Sequence, residues 1–131
     1  MNTGKANILL VEDNDALRGV ISFNLMRAGY QVTVVTNGRE ALEALEHASF
    51  DLVLSDQQMP KMTGIQLCEH IRELPQYQHV PFILLTAKCM ELDTAKLRQR
   101  LRMSATLPKP FSPSELLTCI EECLLVGSSN S

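Results

Sequence analysis

Three carboxylates, a hydroxyl and an ammonium stand at comparable places along this 131-residue chain: Glu12, Asp13, Asp56, Thr86 and Lys109. Each ends or directly follows a short apolar run. Asn7–Val11 precedes Glu12-Asp13, Leu52–Ser55 precedes Asp56, Pro81–Leu85 leads to Thr86, and Ala105–Pro108 precedes Lys109. Carboxylates packed together repel and raise one another's pKa unless a cation is present. Hard oxygen ligands in that number suit Mg2+, which keeps several waters and completes its shell with phosphate oxygens. An ammonium and a hydroxyl are the donors expected around a phosphoryl group. Taken singly, each residue has an ordinary reading as a helix-start charge, a turn residue or a solvated lysine. Their joint placement argues for a site.

Such placement requires a frame, and the hydrophobic pattern supplies one. Short β-rich runs alternate five times with segments of helical period. After Asn7–Val11, residues Leu17, Ile21, Leu25 and Ala28 form one stripe, and Gly29 stops the helix. The second strand is Gln31–Val35; Asn37-Gly38 then turns the chain into a helix with Ala41, Leu42, Leu45 and Ala48 on one face. Strand three ends at Asp56, and the loop Met59–Gly64 precedes a helix bearing Leu67, Cys68, Ile71 and Leu74. A fourth helix is expected over about Leu92 to Met103. The last helix has the clearest start: Ser112 as cap, Pro113 in the first turn, Glu115 completing a capping box. Leu116, Leu117, Ile120, Cys123 and Leu124 give its buried face.

Strands apolar on both faces and separated by helices imply a parallel sheet covered on both sides, an α/β open doubly wound (βα)5 domain. In such sheets function sits beyond the carboxyl ends of the strands, where the five polar residues fall. The chain reads as one domain over residues 1–126, with 127–131 a flexible tail or the start of a linker. Its 12 basic and 15 acidic residues give a formal charge of −3, which argues against a nucleic-acid-binding module. No apolar run approaches a membrane span, and the first seven residues do not form a signal peptide. Cys68, Cys89, Cys119 and Cys123 include no CxxC pair, and His47, His70 and His79 are not at metal-ligand spacings with them. Reduced thiols and a cytoplasmic protein are expected.

Four blocks resemble the response regulator receiver domains of two-component signalling: Ile8-Leu9-Leu10-Val11-Glu12-Asp13-Asn14, Asp56-Gln57-Gln58-Met59-Pro60-Lys61-Met62-Thr63-Gly64, Leu85-Thr86-Ala87 and Lys109-Pro110-Phe111. The resemblance runs from about Asn7 to Leu125. It implies a flavodoxin/CheY-like strand order 2-1-3-4-5 and a signalling switch, not an enzyme that turns over a separate substrate. Asp56 would take a phosphoryl group from a phosphohistidine on a sensor histidine kinase or phosphotransfer protein. Asp13, Asp56 and the backbone carbonyl of Gln58 would ligate Mg2+, with Glu12 acting through a bound water. Lys109 would pair with the phosphoryl oxygens, Thr86 would swing in to one of them, and Lys109-Pro110 would be cis. The face made by helix four, strand five and helix five would repack, dock partners or pair two copies.

That face departs from the family pattern. Thr106 stands where many receivers carry an aromatic residue, and Arg102 where the family often has glycine. Threonine cannot report a ring flip, which keeps a phosphorylation-independent docking module as the alternative. A haloacid-dehalogenase-type phosphatase would need a second aspartate at Gln58. A flavin domain would need a phosphate-cradling loop where Glu12-Asp13-Asn14-Asp15 stands. Lys96, Arg98, Arg100 and Arg102 are spaced around helix four and read as a solvated face, with docking of an acidic partner as the alternative.

Overall fold

A computed structural model describes residues 6–87 and 93–129. The order is β1 (Asn7–Val11), α1 (Asp15–Arg27), β2 (Gln31–Val35), α2 (Gly38–His47), β3 (Leu52–Asp56), α3 (Gly64–Arg72), β4 (Phe82–Thr86), α4 (Thr94–Leu101), β5 (Ala105–Pro108) and α5 (Pro113–Ser129), with a 3-10 turn at Pro75–Tyr77. The strands form one parallel sheet in the order β2-β1-β3-β4-β5. Alternation along β1 divides the core. Leu9 and Val11 join Ala41, Leu45, Leu67, Ile71 and Leu101 on one side; Ile8 and Leu10 join Ile21, Leu25, Leu116 and Ile120 on the other. Among the described residues, no helix is long and apolar enough to cross a membrane.

Local signals in the sequence account for most helix ends. Asn14 Oδ1 accepts from Leu17 N at 2.9 Å, and Asn37 Oδ1 from Glu40 N at 2.9 Å. Gly29 adopts φ 101° after α1. The expected box at α5 is present, Ser112 N donating to Glu115 Oε1 (2.8 Å) and Glu115 N to Ser112 Oγ (3.1 Å). A second box, Thr63 with Gln66, starts α3.

Two elements differ from the sequence reading. α5 continues to Ser129, so residues 127–129 are helical where a tail was expected. No proline blocks it, and propagating a formed helix is far easier than nucleating one. α4 ends at Leu101, before the expected Met103. Asp93 caps it, its side chain accepting from Lys96 N at 3.1 Å, and Arg102 ends it with φ 55°, the left-handed conformation that glycine adopts most readily. The readings of Met1–Lys5, of Cys89 and of a helix beginning at Leu92 lie outside the described residues. The basic residues of α4 meet acceptors of the protein itself. Arg100 pairs with Glu69 at 3.1 Å, Arg102 Nε donates to Gln78 O at 3.1 Å, and Lys96 lies 3.9 Å from Asp93.

Candidate functional site

The carboxyl edge of the sheet brings the expected residues together. Glu12 leaves β1 with its N–H on Val35 O (3.1 Å), its carbonyl accepting from Arg18 Nη1 (3.0 Å) and its Oε2 accepting from Asn14 N (3.2 Å). These bonds turn its side chain into the protein, where Glu12 is fully buried, while Asp13 beside it is exposed. Asp56 closes β3 and is 2% exposed. The loop beyond it is tightly tied: Gln57 N donates to Leu85 O (2.8 Å), Gly64 N to Gln57 O (3.2 Å) and Ile65 N to Gln57 Oε1 (2.8 Å). Glycine is required at position 64, since a Cβ there would lie 2.5 Å from Asp56 O and 2.6 Å from Leu84 Cδ1.

Lys109 N donates to Thr86 O at 3.0 Å, and the Lys109-Pro110 bond is cis as expected. The ammonium then reaches across the edge to lie 2.6 Å from Asp56 Oδ1 and 3.7 Å from Glu12 Oε1. Thr86 is buried, and its Oγ1 accepts a hydrogen bond from Gln58 Nε2 at 3.1 Å. All five residues singled out in the sequence therefore meet at one place.

The cluster is short of positive charge. Glu12, Asp13 and Asp56 each offer an oxygen within 4.8 Å of the others, against one lysine. Burial holds the Glu12 carboxyl above its usual range, and the Asp56 charge raises it further; Lys109 only partly opposes this. Glu12 Oε1 and Asp56 Oδ1 are buried, and among the described residues the one shared Lys109 ammonium is the cation that faces both. Buried carboxylates that outnumber the cations beside them are costly and mark a place for a further cation. The donor set thus fits Mg2+. Beside the cluster, Leu17, Ala87, Lys109, Pro110 and Phe111 line a mostly apolar cavity of about 380 Å3.

Two features escaped the sequence reading. One is the Gln58 side chain resting on Thr86. The other is Arg72, which donates from Nε to Leu101 O (2.7 Å), from Nη1 to Tyr77 O (2.9 Å) and from Nη2 to Arg102 O (3.0 Å), tying α3 to the end of α4. Its position four residues after Cys68, on the buried stripe, was the available signal. Among the described residues, Cys68 is buried as expected, whereas Cys119 and Cys123 are half-buried against the α1/α5 core.

The response regulator receiver domain profile matches residues 8–121. The alkaline phosphatase synthesis transcriptional regulatory protein PhoP of Bacillus subtilis is 37% identical over 83% of this chain and 44% of its own length. The chain spans about half the length of several such curated relatives. Among solved structures, the chemotaxis response regulator CheY4 of Vibrio cholerae matches with TM-score 0.83 and 33% identity, over 90% of this chain and 98% of that one. The receiver domain of the sensor histidine kinase PA1611 of Pseudomonas aeruginosa, solved with a magnesium ion in its active-site cleft, matches with TM-score 0.83 and 31% identity, over 92% and 98%. With the sheet order and the acidic edge already in place, this profile match over most of the chain means that it belongs to the response regulator receiver domains of two-component systems.

Proposed function

We propose that Asp56 accepts a phosphoryl group from a phosphohistidine on a sensor histidine kinase or phosphotransfer protein in the cytoplasm, and that the chain thereby switches a partner-binding face. The observation that carries this reading is the Lys109 ammonium 2.6 Å from the buried Asp56 carboxylate, at the centre of an otherwise uncompensated acidic cluster. An Asp56 oxygen attacks phosphorus, the P–N bond breaks, and its electron pair stays on the departing ring, which leaves as neutral imidazole when its other nitrogen carries a proton. Lys109 sits where negative charge accumulates on the transferring group, so the chain contributes positioning and electrostatics more than covalent chemistry. Mg2+, held by Asp13, Asp56 and the Gln58 carbonyl with Glu12 in support, would supply further charge neutralisation. The mostly apolar cavity beside Lys109 offers the donor imidazole a surface to approach along.

Thr86 is the link to output. Its hydroxyl accepts from Gln58 in the structure, and a phosphoryl oxygen on Asp56 offers it an acceptor instead. Its turning would bias the surface of α4, β5 and α5, which then docks a partner or pairs two copies. Thr106 on β5 favours, as a second reading, docking without phosphate. The test is intact-protein mass after incubation with acetyl phosphate and Mg2+, beside Asp56→Asn and EDTA controls. One added phosphoryl group, absent from both controls, is expected; none on folded protein overturns the proposal in favour of the second reading.

A further inference from the structure

We propose that Gly38 and Met62 together position the Gln58 carbonyl, and so set the affinity of the site for a divalent cation. The inference rests on the reading above, in which that carbonyl is a ligand of Mg2+. Gly38 is the first residue of α2 and is buried. Its backbone does not call for glycine: among the described glycines, Gly29 has a positive φ and Gly38 does not. Nor does its helix, for which alanine is the better residue. What requires glycine is space. A Cβ at position 38 would collide with Met62 Sδ and lie 3.0 Å from its Cγ and 3.1 Å from its Cβ. Swinging the thioether aside would relieve the first of these contacts. Met62 Cβ, however, is fixed to the main chain, so the loop itself would have to yield.

Both sides of this contact are tied to the site. The wall at Gly38 is held firmly: Asn37 caps α2, Thr36 N and Oγ1 donate to Glu40 Oε1 at 2.8 and 2.9 Å, and the Val35 carbonyl accepts from Glu12 N. Met62 belongs to the loop that leaves Asp56, four residues beyond Gln58. Two short turns shape that loop, Met59 N donating to Gln57 O (3.1 Å) and Met62 N to Pro60 O (2.8 Å). The first is centred on Gln58. The second is centred on Lys61, whose φ of 71° is the left-handed conformation that a side chain with a Cβ adopts at a cost. A residue in that conformation persists where its surroundings hold it. Here Met59 is buried in the core, and Met62, packed against the same core, is seated on Gly38. An unbranched thioether fills such a recess well. Gln58 thus lies between a fixed strand end and a loop pinned at Met62, and loosening the pin frees its carbonyl. Mg2+ demands near-ideal octahedral geometry at short distances, so a displaced carbonyl weakens its binding.

Isothermal titration calorimetry with Mg2+ on the full chain tests the proposal without any phosphoryl donor, with circular dichroism to establish folding. Gly38→Ala should weaken Mg2+ binding about tenfold, as changes to residues that orient a metal ligand do. A merely structural contact would lower Tm and leave the affinity of the folded protein unchanged. The decisive comparison is the double variant. Alanine at position 38 acts by displacing Met62, so its effect should largely disappear on a Met62→Ala background. Met62→Ala alone should also weaken binding, and should raise amide hydrogen exchange across residues 57–64. A folded Gly38→Ala that binds Mg2+ like the parent, or a Gly38→Ala effect undiminished beside Met62→Ala, would overturn the proposal. Should Gly38→Ala fail to fold, Met62→Ala decides alone, and an unchanged Mg2+ affinity overturns it. A parent protein that binds no Mg2+ would overturn the metal reading itself, and this proposal with it.

Discussion

Replacing Arg72 by methionine tests whether a buried guanidinium holds α3 and α4 in register. Arg72 is 8% exposed and donates three hydrogen bonds to main-chain carbonyls, two of them at the end of α4. Among the described residues no carboxylate pairs with it, and its burial lowers its pKa. Methionine fills much of the space without a donor. Three charge-assisted bonds at about 1.5–3 kcal/mol each give a gross loss of about 4–9 kcal/mol. Releasing the guanidinium from burial returns several kcal/mol of that. The net expectation is a loss of about 2–4 kcal/mol, or roughly 10 °C in Tm for a domain of this size. Urea denaturation followed by circular dichroism measures the total. Amide hydrogen exchange locates it, and protection should fall first in α4 and around Tyr77. Arg72→Lys keeps the charge but cannot make all three bonds, so it should fall between. A loss under about 1 kcal/mol in Arg72→Met, or exchange that rises evenly over the sheet, would refute the reasoning.

Three further outcomes follow from the geometry. Glu12 has its folded pKa raised, so the stability it confers is complete below its ordinary value of 4.5 and is lost as pH rises through the folded value. In EDTA, the stability of Glu12→Gln relative to the parent should therefore shift in the variant's favour as pH climbs from 4.5 to 8; a pH-independent difference would contradict this. Gly64→Ala drives a methyl group into Asp56 O and Leu84, so it should cost about 2–3 kcal/mol in urea titration and slow phosphorylation of Asp56. Gly19→Ala should gain up to about 1 kcal/mol, because nothing obstructs the new methyl and alanine is the better helix former.

The sequence was most readable where one residue type serves one local rule. β1, β3 and β4, the sheet class and the residues at the strands' carboxyl ends follow from apolar runs closed by polar residues, because burial on both faces permits little else in a central strand. The edge strands β2 and β5 are more exposed and were read from β-rich runs between helical segments. The cap Ser112 and the turn at Asn37-Gly38 were equally legible. What could not be read depends on contacts distant in sequence. Arg72 falls on a buried stripe, but only the approach of Leu101 and Arg102, about thirty residues on, shows what satisfies it. Gln58 on Thr86 is a contact of the same kind. The end of α4 at Arg102 runs against preference, since a left-handed arginine is unfavourable on its own and is held there by its bonds to Arg72 and Gln78.

The central claim is that the Asp56 carboxylate itself becomes phosphorylated. Borohydride reduces an acyl phosphate to the alcohol, so protein treated with acetyl phosphate and Mg2+, reduced and digested should yield homoserine at position 56 by peptide mass spectrometry. Homoserine at that position, absent when Mg2+ is withheld, is the predicted result. Homoserine at another acidic residue, or none while the intact protein still gains a phosphoryl group, would contradict the account.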